Sequence, residues 1–193
     1  LETIERWRHE HLDVVIVQGN HDRTSLRSGN PDWLSILERA GAAVFHSAGT
    51  VNCGDGRIVL LPFSETEEQW NANLKEIHKD RAQACDILIF HQNLRGSKYN
   101  NQGGINVDGC FSVSDLRPER FLACIGGDVH LPQKIHRNVW YVGSPFCCDW
   151  GEVNQKKFFC VIADGKVKFV PTGMPGWYDP DVKGFKPPAD WKG

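Results

Sequence analysis

The sequence predicts an α/β fold built on a largely parallel sheet. Three short apolar runs carry that expectation: Val14–Val17, Asp86–Phe90 (DILIF) and Phe121–Ile125 (FLACI). Each is rich in β-branched or large apolar residues without alternation, the pattern of a strand buried on both faces. Segments of helical period lie between them, which is the βαβ rhythm of layered α/β domains. Each run also stops abruptly at polar residues, as strands do where a sheet opens onto a crevice. At 193 residues and 40% hydrophobic content, one well-buried domain is expected. It spans residues 1–172, and an extended Gly-, Pro- and Trp-rich tail follows over 173–193.

Leu1, Ile4 and Trp7 recur at helical spacing among charged residues, so the chain opens in an amphipathic helix packed on the sheet, with His9 and His11 solvated near its end. Val14–Val17 then reads as a central strand, and Gly19 turns the chain into Asn20, His21 and Asp22. That turn can be a polar strand cap, or a cation site with an amide oxygen and an imidazole to offer. After the loop RTSLRSGN, the triplet Asn30-Pro31-Asp32 supplies an N-cap, a first-turn proline and an acid matched to the helix dipole. Trp33, Ile36, Leu37 and Ala40 form the apolar face of that helix, and Gly41 closes it. Ala43–Phe45 is a short strand with His46 beyond it. Val51–Asn52 and Arg57–Leu61 flank Cys-Gly-Asp-Gly as a hairpin, with Gly54-Asp55 in its turn. Ser64 and Glu67 make a capping box for a helix whose face is Trp70, Leu74 and Ile77, with His78 inert at its exposed end.

Downstream of DILIF comes His91, then a Gly- and Asn-rich stretch from Gln92 to Gly109, either a substrate-covering loop or a floppy insert. Ser114-Asp115-Leu116 turns the chain into the third run, after which two glycines precede Asp128 and His130. The stretches KIHRNVWYVGS, KKFFCVIAD and KVKFVPT read as antiparallel strands of a second sheet or of a sheet edge.

A formal net charge of −2 and a pI near 6.5 disfavour a polybasic nucleic-acid or membrane binder, so any nucleic-acid contact would be local or routed through bound cations. The seven cysteines form no CxxC pair, and Cys85, Cys124 and Cys160 sit in or beside strand-like runs. They read as reduced core thiols of a cytoplasmic protein, and the vicinal Cys147–Cys148 as structural. No apolar stretch is long enough to span a membrane.

Three strand ends carrying Asn20, His91 and Asp128/His130 converge if the strands are neighbours in one parallel sheet. An amide oxygen, two imidazoles and a carboxylate make a hard-to-borderline ligand set suited to manganese, iron, zinc or magnesium. Singly, each residue is more often just a hydrogen-bonded strand end, and it is the coincidence of all four that points to a cation.

Gly19-Asn20-His21-Asp22, His91 after DILIF, and Gly127-Asp128-Val129-His130 resemble, in order and approximate spacing, the GNH(D/E), lone His and GHxH motifs of the calcineurin-like metallophosphoesterases. The stretch Trp140-Tyr141-Val142-Gly143-Ser144-Pro145 with Asp149-Trp150-Gly151-Glu152 is similar to the GSP…FGE region of the branch containing SbcD-like DNA-repair exonucleases and phage phosphoesterases. The resemblance implies a layered α/β/β/α sandwich and hydrolysis of phosphodiesters, in a nuclease-like manner, with two divalent cations clamping the entering and leaving oxygens. Manganese is the first choice, with zinc, iron or magnesium as alternatives. Asn20, His91 and Asp128 would hold one ion and His130 would help hold the other. His21 would act as general acid on the leaving oxygen, and Asp22 would support it from behind. A phosphomonoesterase or protein phosphatase uses the same core, and a non-catalytic partner-binding module is the rival of another class.

Two departures from the family pattern follow. Its Asp-x-His and Gly-Asp-x-x-Asp motifs are absent before Val14, which implies an N-terminally incomplete chain, ligands from a partner chain, or a poor single-metal binder. Asp128 stands where the family has His, which tilts preference toward manganese or magnesium, or else weakens the site. Arg95, Lys98, Lys134, Arg137, Lys156 and Lys157 are the residues that could flank a DNA groove.

Overall fold

The computed structural model describes residues 1–22, 33–54, 56–79, 86–99, 111–153, 155–174 and 176. It is a mixed α/β structure. Its main sheet has six strands in the order β3-β4-β5-β6-β8-β7: β3 (Gly49–Cys53), β4 (Gly56–Leu61), β5 (Ile87–His91), β6 (Ala123–Gly127), β7 (Gln133–His136) and β8 (Val139–Tyr141). Strands β4, β5, β6 and β8 run parallel, and β3 and β7 close the two edges antiparallel. The carboxyl ends of four strands therefore open on one rim.

The core lies where the sequence puts its continuous apolar runs. Leu60, Leu61, Leu88, Phe90, Ala123 and Cys124 are almost wholly buried in the central strands. Helix α3 (Glu67–Ile77) covers one face with Trp70 and Ile77, and the Trp70 ring stacks on Phe111 at 4.6 Å. Its cap lies two residues beyond the expected Ser64. Thr66 accepts from the Gln69 N–H, and Gln69 reaches back to the Glu65 N–H. Ser64 is buried instead, held by Gln92 and Asn73. His78 is not inert either: Nε2 lies 3.1 Å from the Asp115 carbonyl and Nδ1 2.8 Å from Arg120, tying the end of α3 to the 113–120 segment.

The first apolar run departs from expectation. Strand β1 (Val15–Val17) pairs only with β2 (Ala43–Phe45), in a separate two-stranded parallel sheet, and its residues are half-buried. Continuous apolarity does not distinguish a central strand from one in a small side sheet. Helix α1 (Glu2–His9) buries Ile4 against that sheet, while Leu1 and Trp7 stay exposed. Helix α2 (Leu34–Arg39) buries Leu34, and the expected Leu37 and Ala40 pack into the side cluster with Ile4, while Trp33 and Ile36 stay outside, so only half of the expected apolar face is turned inward. Gly41 ends it at φ +98°, where an added Cβ would strike Arg8. The Asn30-Pro31-Asp32 cap, Asp55 and Cys85 lie outside the described residues, as does most of the tail.

Strands β7 and β8 extend the main sheet, while β9 (Phe158–Ala163) and β10 (Lys166–Pro171) form a separate antiparallel hairpin. Cys53, Cys124, Cys147, Cys148 and Cys160 are free thiols; burial pushes the pKa of Cys124 up to about 12, as befits a core thiol. No helix among the described residues is long and apolar enough to cross a membrane.

Candidate metal centre

The end of β1 is stitched to both sheets. The Gln18 N–H donates to the Phe45 carbonyl at 3.1 Å, and its own carbonyl accepts from the Phe63 N–H, just past β4, at 3.0 Å. The chain then closes a 3-10 turn over Asn20–Asp22, with the Gly19 N–H donating to Asp22 Oδ2 at 2.7 Å. Asp22 thus holds the turn that presents Asn20 and His21.

His91 is the last residue of β5, and its ring is packed between two glycines. A Cβ on Gly19 would come within 2.9 Å of the ring and one on Gly127 within 2.8 Å. Nothing larger than glycine fits at either position without moving the imidazole. The ring's Nε2 lies 3.3 Å from Asn20 Oδ1 and 3.8 Å from Asp128 Oδ1. Asp128 follows β6 with φ +77°, a left-handed conformation that costs a non-glycine residue free energy and that Asp tolerates better than most.

Beyond it, His130 Nδ1 meets Glu152 Oε1 at 2.5 Å. Glu152 is 2% exposed, and its other oxygen accepts from Lys157 Nζ at 2.6 Å, Ser144 Oγ at 3.0 Å and the Cys148 N–H at 3.1 Å. Burial pushes the Glu152 pKa upward, but those hydrogen bonds, led by Lys157, outweigh it and hold the carboxyl at about 2.

Asn20, His21, Asp128, His130 and Glu152 line one cavity of about 360 Å³, together with Tyr99, Asp149 and Gly151. The sequence-predicted residues are therefore brought to a single place, in two groups: Asn20, His91 and Asp128 together, and His130 turned toward Glu152. Burial lowers the pKa of His91, against the pull of Asp128 and Asp22, and favours the neutral, ligating imidazole. Burial raises that of Asp128, with His91, His130 and His21 opposing.

Ligand bonds of about 2.0–2.2 Å set adjacent donor atoms about 3 Å apart around a cation. His91 Nε2 stands 3.3 Å from Asn20 Oδ1 and 3.8 Å from Asp128 Oδ1, so this amide oxygen, imidazole and carboxylate could serve one divalent ion. A second ion is less well provided for. Among the other carboxylates lining the cavity, Glu152 has both oxygens engaged, and Asp149 Oδ1 accepts from the Gly151 N–H at 2.7 Å.

Sequence reasoning missed Glu152, Lys157 and Tyr99. Ser144 and Glu152 lie within the GSP…FGE-like stretch, which was the available signal. Lys157, grouped by sequence with the groove-flanking cations, is buried in the ion pair with Glu152. None of the six basic residues lines the cavity. Cys148 Sγ, the His130 ring and a Glu152 oxygen lie within 4.8 Å of one another. Cys147, buried with its S–H directed at the Glu152 carbonyl, fits the structural role expected of it. A larger cavity of about 840 Å³, between α3 and the 114–117 segment, mixes Glu67 and Asp115 with Lys75, Lys79 and Arg117 and gathers no comparable donor set. The chain matches no protein-family model and no curated protein.

Proposed function

We propose that the chain is a metal-dependent phosphoesterase of the calcineurin-like type, with the layered sandwich that type implies, acting on phosphodiesters such as those of DNA in a cytoplasmic setting. One observation carries the reading: Asn20 and Asp128 line one cavity with His21, and His91 Nε2 lies 3.3 Å and 3.8 Å from their oxygens. A bound divalent cation would neutralise phosphoryl charge and acidify an attacking water. Asn20, His91 and Asp128 would hold it, Asp128 adding the negative charge. His21, exposed on the same turn, has no place in that ligand set and is positioned to donate a proton to the leaving oxygen. Asp22 keeps the turn closed and so aims His21.

With added manganese, the protein should hydrolyse bis-p-nitrophenyl phosphate. His21→Ala should lower turnover by about 10²–10⁴-fold while leaving manganese binding intact. Equal turnover in the two proteins would refute the assignment. A second reading, a non-catalytic module with an incomplete metal site, is favoured by the engaged state of the carboxylates that would face a second ion, Glu152 and Asp149. It predicts saturable manganese binding with no turnover.

A further inference from the structure

Glu152 closes a 3-10 turn (Trp150–Glu152) whose start is held by Asp149. Its carboxylate is buried, and every hydrogen bond it makes is to a donor supplied by a different segment. Lys157, itself 7% exposed, is fixed by four acceptors: Glu152 Oε2, Ser144 Oγ, Gln155 Oε1 and the His130 carbonyl. The ammonium thus bridges the backbone of His130 to the carboxylate that binds its ring. We infer that Glu152 is a positioning residue, fixing His130 as the Nδ1–H tautomer so that Nε2 keeps its lone pair for a cation in the cavity, with Lys157 and Ser144 holding Glu152 in that place.

This is the carboxylate–histidine arrangement by which proteins orient a metal-binding imidazole and raise its basicity. Direct ligation of an ion by His130, Cys148 and Glu152 together is the competing use of the same atoms. It would require displacing the proton between Nδ1 and Oε1 and placing a second cation beside the buried ammonium of Lys157, a like-charge contact of high cost where water is scarce.

The inference rests on the phosphoesterase reading, in which the family resemblance gives His130 to a second cation in the same cavity, and its test separates the two. Long-range proton–nitrogen spectra of the full metal-free chain, at mildly alkaline pH, report which ring nitrogen of His130 carries the proton. Wild type should show Nδ1–H. In Glu152→Gln the amide can donate to Nδ1, and the proton should move to Nε2. Cobalt titration of the same proteins should show binding weakened by about 10–100-fold in Glu152→Gln and unchanged in Cys148→Ser. A wild-type spectrum showing Nε2–H overturns the positioning role, whether or not the variant folds. A thiolate-to-cobalt charge-transfer band that disappears in Cys148→Ser overturns it in favour of direct ligation. Failure of phosphodiester hydrolysis would remove the function while leaving the tautomer where it is, and a wrong tautomer would leave hydrolysis untouched.

Discussion

Gly127→Ala isolates the packing that fixes His91. The backbone at 127 is ordinary strand, so alanine adds no conformational strain there and narrows the unfolded ensemble, a gain of about 0.4–1 kcal/mol. Against that, the new Cβ would stand 2.8 Å from His91 Nδ1 and 3.3 Å from Cε1. The ring cannot retreat toward Gly19, whose own Cα side lies against its opposite edge, so it must swing away from Asn20 and Asp128. Overpacking of this kind costs about 1–3 kcal/mol, leaving a net loss of about 1–2 kcal/mol. His91→Ala removes the obstacle, and in that background Gly127→Ala should be neutral or stabilising by up to about 1 kcal/mol. Urea unfolding of the four proteins, analysed as a double-mutant cycle, measures the coupling directly. A Gly127→Ala cost that is the same with and without His91 would show that the glycine is there for another reason.

Glu152 predicts a specific acid lability. The pKa of its carboxyl, held at about 2, lies well below the ordinary glutamate value of 4.5, so its contribution is fully present above pH 4.5 and is lost as pH falls toward 2. The stability difference between wild type and Glu152→Gln, followed by urea midpoints, should therefore shrink on acidification through that window, and a difference that stays constant would refute the network. Asp86, fully buried just before β5, accepts from the Arg57 N–H and pairs with Arg57 Nη2 at 2.7 Å. Asp86→Ala should cost about 2–3 kcal/mol, somewhat less than a fully enclosed pair because Arg57 keeps partial access to water. A loss under about 0.5 kcal/mol by thermal or chemical unfolding would show that the pair is worth no more than a surface one.

The legible parts of the fold were those where local pattern and tertiary environment agree. DILIF and FLACI read as parallel strands and are paired so in the main sheet, but only residues 123–126 are buried on both faces, whereas β5 buries Leu88 and Phe90 and leaves Ile87 and Ile89 half-buried. Trp70, Leu74 and Ile77 name the inner face of α3 because no competing stripe exists. Val14–Val17 has the same pattern yet joins a small separate sheet, since apolarity records burial and not which strand lies alongside. Trp33 and Ile36 misled for a related reason: in so short a helix, Leu34 with Leu37 and Ala40 makes an equally good stripe, and packing uses that one. At the site, the strand-end logic holds for His91 and Asp128, which follow the neighbouring strands β5 and β6, whereas Asn20 arrives from the separate β1–β2 sheet. It was silent on Glu152 and Lys157, because a buried carboxylate and ammonium look like surface charges until their partners are known. The two glycines flanking His91 were legible only as turns, although their structural effect is to leave room for a ring.

The most direct test of the account is manganese binding to the full chain, followed by the loss of the free-ion electron paramagnetic resonance signal, in wild type and in His91→Ala. The account predicts at least one equivalent bound by wild type and binding reduced by 10-fold or more in the variant, about 1.4 kcal/mol or greater, with the fold retained. Equal binding by both proteins, or none by either, would contradict it.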